Sequence, residues 1–135
     1  MLNAKCYSLS LHYSPPRCII LLIIKGVSKL AYCVVLSTTG SQEEADKIAG
    51  VLLEKRAAAC VQMSPIVSHY VWEGKIEHEN EIRLLIKTTE VLYQTVENLI
   101  RENHSYKVPQ IVKLPISAGL SKYLEWISEE TGTGD

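Results

Sequence analysis

The sequence predicts an α+β fold, with four strands and two helices in the order β-α-β-β-α-β and a third helix after them. Residues 75–89 alternate polar and apolar side chains with a period of two, which is typical of a strand with one exposed face. Residues 41–56 and 89–100 instead carry apolar side chains at helical spacing. At 135 residues, the chain has the size of one domain with its own core.

The first strand and the first helix are predicted from adjacent segments. Residues 30–38 are rich in apolar and β-branched residues, which favours a buried strand. Ser41 with Glu44 three positions later matches a capping box, in which both side chains bond the free amides of a helix N-terminus. We expect four apolar side chains of this helix to face inward: Ala45, Ile48, Leu52 and Leu53.

The second and third strands are predicted to form one long protruding hairpin. Glu73-Gly74 joins residues 58–72 to residues 75–89 and suits a tight two-residue turn. Pro65 favours an edge position or a bulge, because proline cannot donate a ladder hydrogen bond. A third strand of this length spans on the order of 50 Å, whereas a domain of about 100 residues has a radius of gyration near 13 Å. We therefore expect the hairpin to overrun its subunit and to pair with other copies of the chain.

The C-terminal part completes the fold. Thr88-Thr89 is placed to cap the second helix. Residues 110–114 are predicted as a fourth strand ended by Pro115, residues 121–130 as a last helix, and residues 131–135 as a frayed tail. The inward-facing residues of the second helix are expected to be Leu92, Val96, Leu99 and Ile100. This order of elements is the ferredoxin-like arrangement, an antiparallel sheet with two helices on one face, and it specifies no function by itself.

Composition narrows the setting. The net charge of −1 gives no basic excess for a nucleic-acid partner, and the four cysteines form no C-x-x-C pair for zinc or redox chemistry. Residues 1–28 are unlike the rest, and their apolar run Cys18–Ile24 is far shorter than the about 20 residues that cross a bilayer. We expect residues 1–28 to be an extension whose order the sequence leaves open. Residues 29–135 are expected to form the domain, in the cytoplasm and without a membrane partner.

Several ordered blocks give the chain a specific resemblance over about residues 31–127. The blocks are Glu54–Val61, Tyr70–Glu77, Glu81 with Ile86–Thr88, His104–Pro109, Leu114–Ile116 and Tyr123–Trp126. Together they resemble the CutA divalent-ion tolerance proteins. The resemblance implies a ferredoxin-like subunit in a tight homotrimer with strands pairing between subunits, a link to divalent-cation tolerance and copper, and trimers similar to those of PII signalling proteins.

The resemblance also implies candidate metal ligands, His104 and Cys60, for weakly bound copper or another divalent cation. The residues alone allow other roles, because His104 can cap a helix end and Cys60 can pack as a small hydrophobe. Relatives often carry Cys at the position of Ser37, and some carry His at that of Asn103. With fewer thiolate and imidazole donors, copper affinity is expected to be modest.

Two further histidines, His69 and His78, lie on opposite arms of the predicted hairpin. They are expected to approach each other across the strands. A surface metal site and two solvated side chains are both compatible with this placement.

A cleft between subunits is predicted to be lined by Trp72, Glu81, Lys87 and Tyr106. The alternative is a solvated strand face with cross-strand charge pairs. The sequence has no P-loop, no G-x-G-x-x-G and no nucleophile beside a base, so an enzyme using Glu81 and Tyr106 ranks last.

Two hypotheses remain. The first is a homotrimer that binds a small divalent cation in metal tolerance. The second is a PII-like sensor or scaffold that holds a small anionic ligand beside Lys87 and Arg83.

Overall fold

The structure is a computed structural model that describes residues 30–134. The expected extension, residues 1–28, lies outside this range. In chain order the elements are β1 (Tyr32–Thr39), α1 (Gln42–Glu54), β2 (Cys60–Trp72), β3 (Lys75–Thr89), α2 (Tyr93–Asn103), β4 (Ile111–Ile116) and α3 (Ser121–Thr131). A short 3₁₀ helix, Glu90–Leu92, precedes α2. The predicted α+β class and the predicted order of elements are confirmed.

The four strands form one antiparallel sheet in the order β2-β3-β1-β4. β2 and β3 pair from Cys60↔Lys87 to Trp72↔Lys75. β1, however, reaches only Ile82–Thr89 of β3. Residues 67–80, the outer hairpin, therefore form a two-stranded ribbon beyond the rest of the sheet, as the length of the predicted strand required.

One face of the sheet carries the core. Cys33 and Val35 of β1 share this face with Leu84 and Ile86 of the neighbouring β3, and all four side chains are buried. The helices α1 and α2 cover this face with apolar stripes at helical spacing. The buried residues of these stripes are Ala45, Ile48, Ala49, Leu52, Val96, Leu99 and Ile100. Leu53 was wrongly predicted to face inward: it is 43% exposed, because one helical residue turns the side chain about 100° from buried Leu52.

The opposite face of the sheet is covered at one end by α3. Tyr32 follows the alternation of β1 onto this face, and its hydroxyl lies 2.7 Å from the Ser128 hydroxyl. The Arg56 guanidinium donates to the main-chain oxygens of Glu129 and Glu130 at 2.6 and 2.7 Å, at the C-terminal end of α3. Other apolar side chains of this face stay open, including Leu114 at 47% exposure.

The two prolines of the sheet lie in its edge strands. Pro65 pairs with Ile82 inside β2, so the predicted edge position is confirmed. Pro115 was wrongly predicted to end the fourth strand: it pairs with Cys33, and β4 continues to Ile116. An edge strand tolerates proline because its amide can face away from the ladder.

The predicted threonine cap of α2 is also wrong. The Thr88 hydroxyl donates to the Ala57 carbonyl at 2.6 Å, and the buried Thr89 hydroxyl has no hydrogen-bond partner. Thr89 takes the N-cap position of the 3₁₀ helix, but no side chain caps either helix start.

The end of the chain is held rather than frayed, up to residue 134. Gly132 adopts a left-handed conformation with φ of 66° at the end of α3. The amides of Thr133 and Gly134 then donate to the Ser128 carbonyl at 2.9 and 3.2 Å. This is a glycine-based helix end that satisfies the last carbonyls.

The turn of the hairpin has the predicted two residues. Glu73 and Gly74 have φ values of 48° and 78°. Positive φ at both positions matches the right-handed twist of the flanking strands.

Within residues 30–134, no helix combines the length and the apolar composition needed to cross a bilayer.

Candidate functional site

A groove of about 650 Å³ lies between the hairpin and the loop that follows α2. Three of the four predicted cleft residues, Trp72, Glu81 and Tyr106, line it. Lys87 does not, because it lies further along β3, opposite Cys60. The structure therefore brings three predicted residues together within one subunit, and a second subunit's share in the groove stays a prediction.

The wall of the groove is acidic. Glu77, Glu79 and Glu81 occupy alternate positions of β3, so their side chains share one face of the strand. Glu81 is only 7% exposed. No lysine or arginine among residues 30–134 lies within salt-bridge distance of it. The carboxylates outnumber the one lining lysine, Lys107, so the groove favours cations over anions.

Two tyrosines stand against these carboxylates. Burial, the charge of Glu81 and a hydrogen bond to Glu81 raise the pKa of Tyr106 to about 12. The pKa of Tyr70 is raised by desolvation and by a hydrogen bond to Glu79. Both phenols therefore keep their protons at neutral pH beside the carboxylates.

Gly40 makes room for the Tyr106 ring. A Cβ atom at this position would lie 3.0 Å from the Tyr106 hydroxyl oxygen. A larger residue at the end of β1 would therefore press on the ring that faces Glu81.

His104 lies at the base of the loop with its side chain fully buried. Its Nε2 lies 2.7 Å from the Thr38 carbonyl, and its Nδ1 accepts the Tyr106 amide at 3.1 Å. Since a carbonyl only accepts, Nε2 must carry the proton and Nδ1 must be the acceptor. Both ring nitrogens are thus in use, and a metal would have to replace one of these bonds.

The same contacts place the rest of the loop. Glu44 accepts the Ser105 amide at 2.6 Å, and the rings of His104 and Tyr106 lie 5.0 Å apart between centroids. His104 is also the C-cap residue of α2, which is the alternative role that the sequence allows for it. In this subunit the histidine positions Tyr106 over the groove.

Cys60 lies elsewhere on the sheet. It pairs with Lys87, whereas Thr38, which holds His104, pairs with Arg83. Four residues of strand separate these levels, a distance on the order of 13 Å. Within one subunit, His104 and Cys60 are therefore not brought into one site. Among residues 30–134, no group of three or more His, Cys, Asp or Glu side chains is arranged to hold a metal.

The basic residues of the second hypothesis lie on the open face of the sheet. The Lys87 ammonium hydrogen-bonds the Gln62 amide oxygen, and Arg83 donates to the Ser64 hydroxyl at 3.3 Å. Desolvation lowers the pKa of Lys87, and the neighbouring Cys60 opposes this effect. Neither cation lines the acidic groove, although Arg83 shares the strand face of Glu81 two residues further along β3.

Sequence reasoning missed the contribution of Tyr70 to the groove. Tyr70 is the cross-strand partner of Glu77. Counting the register outward from the Glu73-Gly74 turn predicts that pair, so the information was present in the sequence. The partner of Tyr106 was harder to find, because the loop's approach to Glu81 depends on the packing of α2.

The sequence profile of the CutA1 divalent ion tolerance proteins matches residues 33–130. The chain is 43% identical over 100 residues to the divalent-cation tolerance protein CutA of Thermus thermophilus, covering 73% of this chain and 97% of that protein. It is 45% identical over 92 residues to the protein of the same name from Archaeoglobus fulgidus, covering 68% and 90%.

Solved structures agree with the sequence matches. The structure of the periplasmic divalent cation tolerance protein CutA from A. fulgidus superposes with a TM-score of 0.73 at 41% identity, covering 74% of this chain and 98% of that one. The similarity therefore extends over nearly the whole fold of the related protein.

Proposed function

Because this chain belongs to the CutA1 divalent ion tolerance protein family, we propose that it acts in divalent-cation tolerance, as a homotrimer that binds copper or another divalent cation weakly. The observation that carries the proposal is the acidic groove. Glu81 there is nearly buried and lacks a salt-bridge partner among residues 30–134. A buried carboxylate without a countercharge favours the arrival of a cation.

Weak binding is the expected regime. His104 offers a ring nitrogen only after a hydrogen bond to Thr38 or Tyr106 is given up. Cys60 is distant from it and offers one thiol that is partly exposed. Each donor therefore acts by itself, and single donors bind copper much less tightly than a closed set of ligands.

Assembly into a trimer is supported by what one subunit leaves uncovered. Val71 and Ile76 of the outer hairpin are 71% and 81% exposed, and Trp72 is 50% exposed. The same ribbon ends the sheet with the unpaired edge of β2. Pairing with other copies would bury both features.

The order β2-β3-β1-β4 with α1 and α2 on one face supports a ferredoxin-like subunit.

We propose a binding role rather than catalysis. The buried His104 is held by main-chain groups, an arrangement that suits positioning rather than activation of a nucleophile. The cytoplasmic location also stays a proposal, since the related A. fulgidus protein is described as periplasmic.

The second candidate is a PII-like sensor or scaffold with a small anionic ligand. It is favoured by Lys87 and Arg83 on the open sheet face, where each has one neutral side-chain partner. An anion bound beside Lys87 and Arg83 would lie on the open face of the sheet and not in the acidic groove. The arrangement of subunits in the trimer would decide whether that face stays exposed.

Calorimetric titration with Cu(II), Zn(II) and nucleotides separates these candidates. We expect weak binding of Cu(II), a clear loss in Glu81→Gln, and no change in the matched variant Glu125→Gln, which removes an exposed carboxylate from α3. His104→Ala should also reduce Cu(II) binding, Cys60→Ala should reduce it less, and Ser37→Cys should strengthen it. Nucleotide binding without metal binding would favour the sensor.

Light scattering tests the assembly independently. The purified full chain should show about three times the mass of one subunit at low micromolar concentration. A monodisperse monomer would contradict both the trimer and any cleft between subunits.

A further inference from the structure

We propose that His69 and His78 form a cross-strand site for one transition-metal ion, such as Cu(II) or Ni(II), on the outer hairpin. This site goes beyond the proposed function. Strand alternation places it on the opposite face of β3 from Glu77, Glu79 and Glu81, although His69 also borders the groove. It does not involve His104.

The register of the hairpin places the two histidines directly opposite each other. Opposite residues of an antiparallel pair have Cβ atoms about 4.5–5.5 Å apart. The two imidazole rings are already near parallel, with 5.6 Å between centroids and 22° between planes. Both side chains are exposed in one subunit, and we expect the copies that cover Val71 and Ile76 to leave the ring nitrogens open to solvent.

This separation fits a shared metal ion. A metal–nitrogen bond to histidine is about 2.0–2.1 Å. With the ring radius added, a ring centroid stands roughly 3 Å from the ion, so two rings on neighbouring coordination positions have centroids about 5 Å apart. The observed 5.6 Å needs only small side-chain rotations to reach that geometry.

No carboxylate among residues 30–134 lies within salt-bridge distance of either imidazole. Strand alternation puts Glu77 and Glu79 on the other face of β3. The two rings are therefore free to share one ion, which leaves coordination positions for water.

The donor set selects the class of metal. Two imidazoles suit Cu(II), Ni(II) and Zn(II), whereas Mg(II) and Ca(II) require oxygen ligands. On the same face the nearest neighbours are Val67, Asn80, Val71 and Ile76, of which Asn80 alone offers an oxygen donor. The site should therefore be open, with water completing the coordination.

Preorganisation separates this pair from two histidines that happen to be exposed. The β2–β3 ladder fixes both Cα positions, so binding orders two side chains and no backbone. If the pair acts as one site, metal binding requires both imidazole rings.

The test is titration of the full chain with Cu(II), and in parallel with Ni(II), because Ni(II), unlike Cu(II), is not reduced by an accessible thiol such as that of Cys60. His69→Ala and His78→Ala should each weaken binding by roughly tenfold or more, and the double variant should lose little beyond either single variant. Electron paramagnetic resonance of the Cu(II) complex should show two nitrogen donors in the unmutated chain.

The sharpest control exchanges two residues of β3 that do not line the groove, Lys75→His with His78→Lys. It keeps composition and net charge but moves the imidazole to the opposite face of β3. This variant should bind as weakly as His78→Ala. The proposal is overturned if the exchange variant binds like the unmutated chain, or if either single substitution changes affinity less than twofold.

These outcomes are distinct from those of the proposed function. A monomeric chain, or unchanged copper binding in Glu81→Gln, would contradict the proposed function while leaving the histidine site intact. Unchanged metal binding in His69→Ala would overturn the histidine site while leaving the groove and the assembly untouched.

Discussion

The two halves of β3 follow one alternating pattern but have opposite fates in the structure. Leu84 and Ile86, at even positions between β1 and β2, are completely buried under α1 and α2. Ile76 and His78, at even positions of the outer half, face solvent. The same periodicity that builds a core in one half leaves an apolar face with a histidine pair in the other.

The difference lies in what covers the strand. The inner half has a strand on each side and two helices above it, whereas the outer half has only β2 beside it. A pattern with a period of two therefore predicts a strand and its faces, but it does not predict which partner buries a face. In the outer half, that partner is left to another copy of the chain or to solvent.

The largest expected effect contrasts one truncation in each half. Leu84→Ala should lower the free energy of unfolding by about 2–5 kcal/mol, because it opens a cavity in the core. Ile76→Ala should cost less, since the side chain is 81% exposed in one subunit and only other copies of the chain can bury it. Urea denaturation at one protein concentration measures both. Equal losses would mean that other copies bury the outer hairpin as fully as the helices bury the inner half.

The next effect contrasts two adjacent threonines at the inner end of β3. Thr88→Val should cost about 1–3 kcal/mol, because it leaves the Ala57 carbonyl without its donor. Thr89→Val has the same change in shape but removes a buried hydroxyl that has no partner, so it should be neutral or stabilising. Thermal and urea unfolding of the two variants give the comparison, and a larger loss for Thr89→Val would contradict it.

At Tyr106 and Glu81, near the junction of the two halves of β3, we expect the stability of the fold to fall at alkaline pH. Burial and the charge of Glu81 raise the pKa of Tyr106 from 10.0 to about 12. The unfolded chain therefore loses this proton first, and the stability due to the protonated phenol, complete below about pH 10, is lost as the pH rises toward about 12.

Ultraviolet titration of tyrosinate absorbance tests the cause. Glu81→Gln should lower the pKa of Tyr106 toward its usual value, because the carboxylate no longer opposes ionisation. Tyr106→Phe identifies the band that belongs to this residue. An unchanged titration in Glu81→Gln would leave burial as the cause.

The smallest effects are expected at the tip of the hairpin. Glu73 has a positive φ that asparagine adopts more readily, so Glu73→Asn should stabilise by about 0.5 kcal/mol. Gly74→Ala should destabilise by about 1 kcal/mol, because alanine resists a φ of 78°. Amide hydrogen exchange of the outer hairpin should register both changes. Effects as large as that of Leu84→Ala would show that the tip is coupled to the core.

The sequence predicted what local patterns control. The strand from Lys75 to Thr89, its turn and the serine cap of α1 follow from alternation, from Glu73-Gly74 and from Ser41, whose hydroxyl accepts the Glu44 amide at 3.2 Å. Each depends on residues that are neighbours in the chain. Local physics was therefore enough to find them.

The errors came from contacts between distant residues. Thr88 bonds Ala57 instead of capping a helix, and Pro115 continues a strand because β4 is an edge. Tertiary contacts also place the candidate residues: His104 and Cys60 lie at different levels of the sheet, and Trp72, Glu81 and Tyr106 meet because α2 returns its loop to the hairpin. Such contacts depend on tertiary packing, which a single sequence does not specify.

The strand order also affects the sequence of events during folding. β2 and β3 are joined by a two-residue turn, so their ladder can close while the remainder of the chain is still a coil. Tyr32 and Ser128 are 96 residues apart, and their contact, like the pairing of β1 with β4, must wait for a much larger loop to close. We expect the hairpin to form early and the docking of β4 and α3 to complete the subunit last, which leaves the free edge of β2 exposed to neighbouring chains from the first stage of folding.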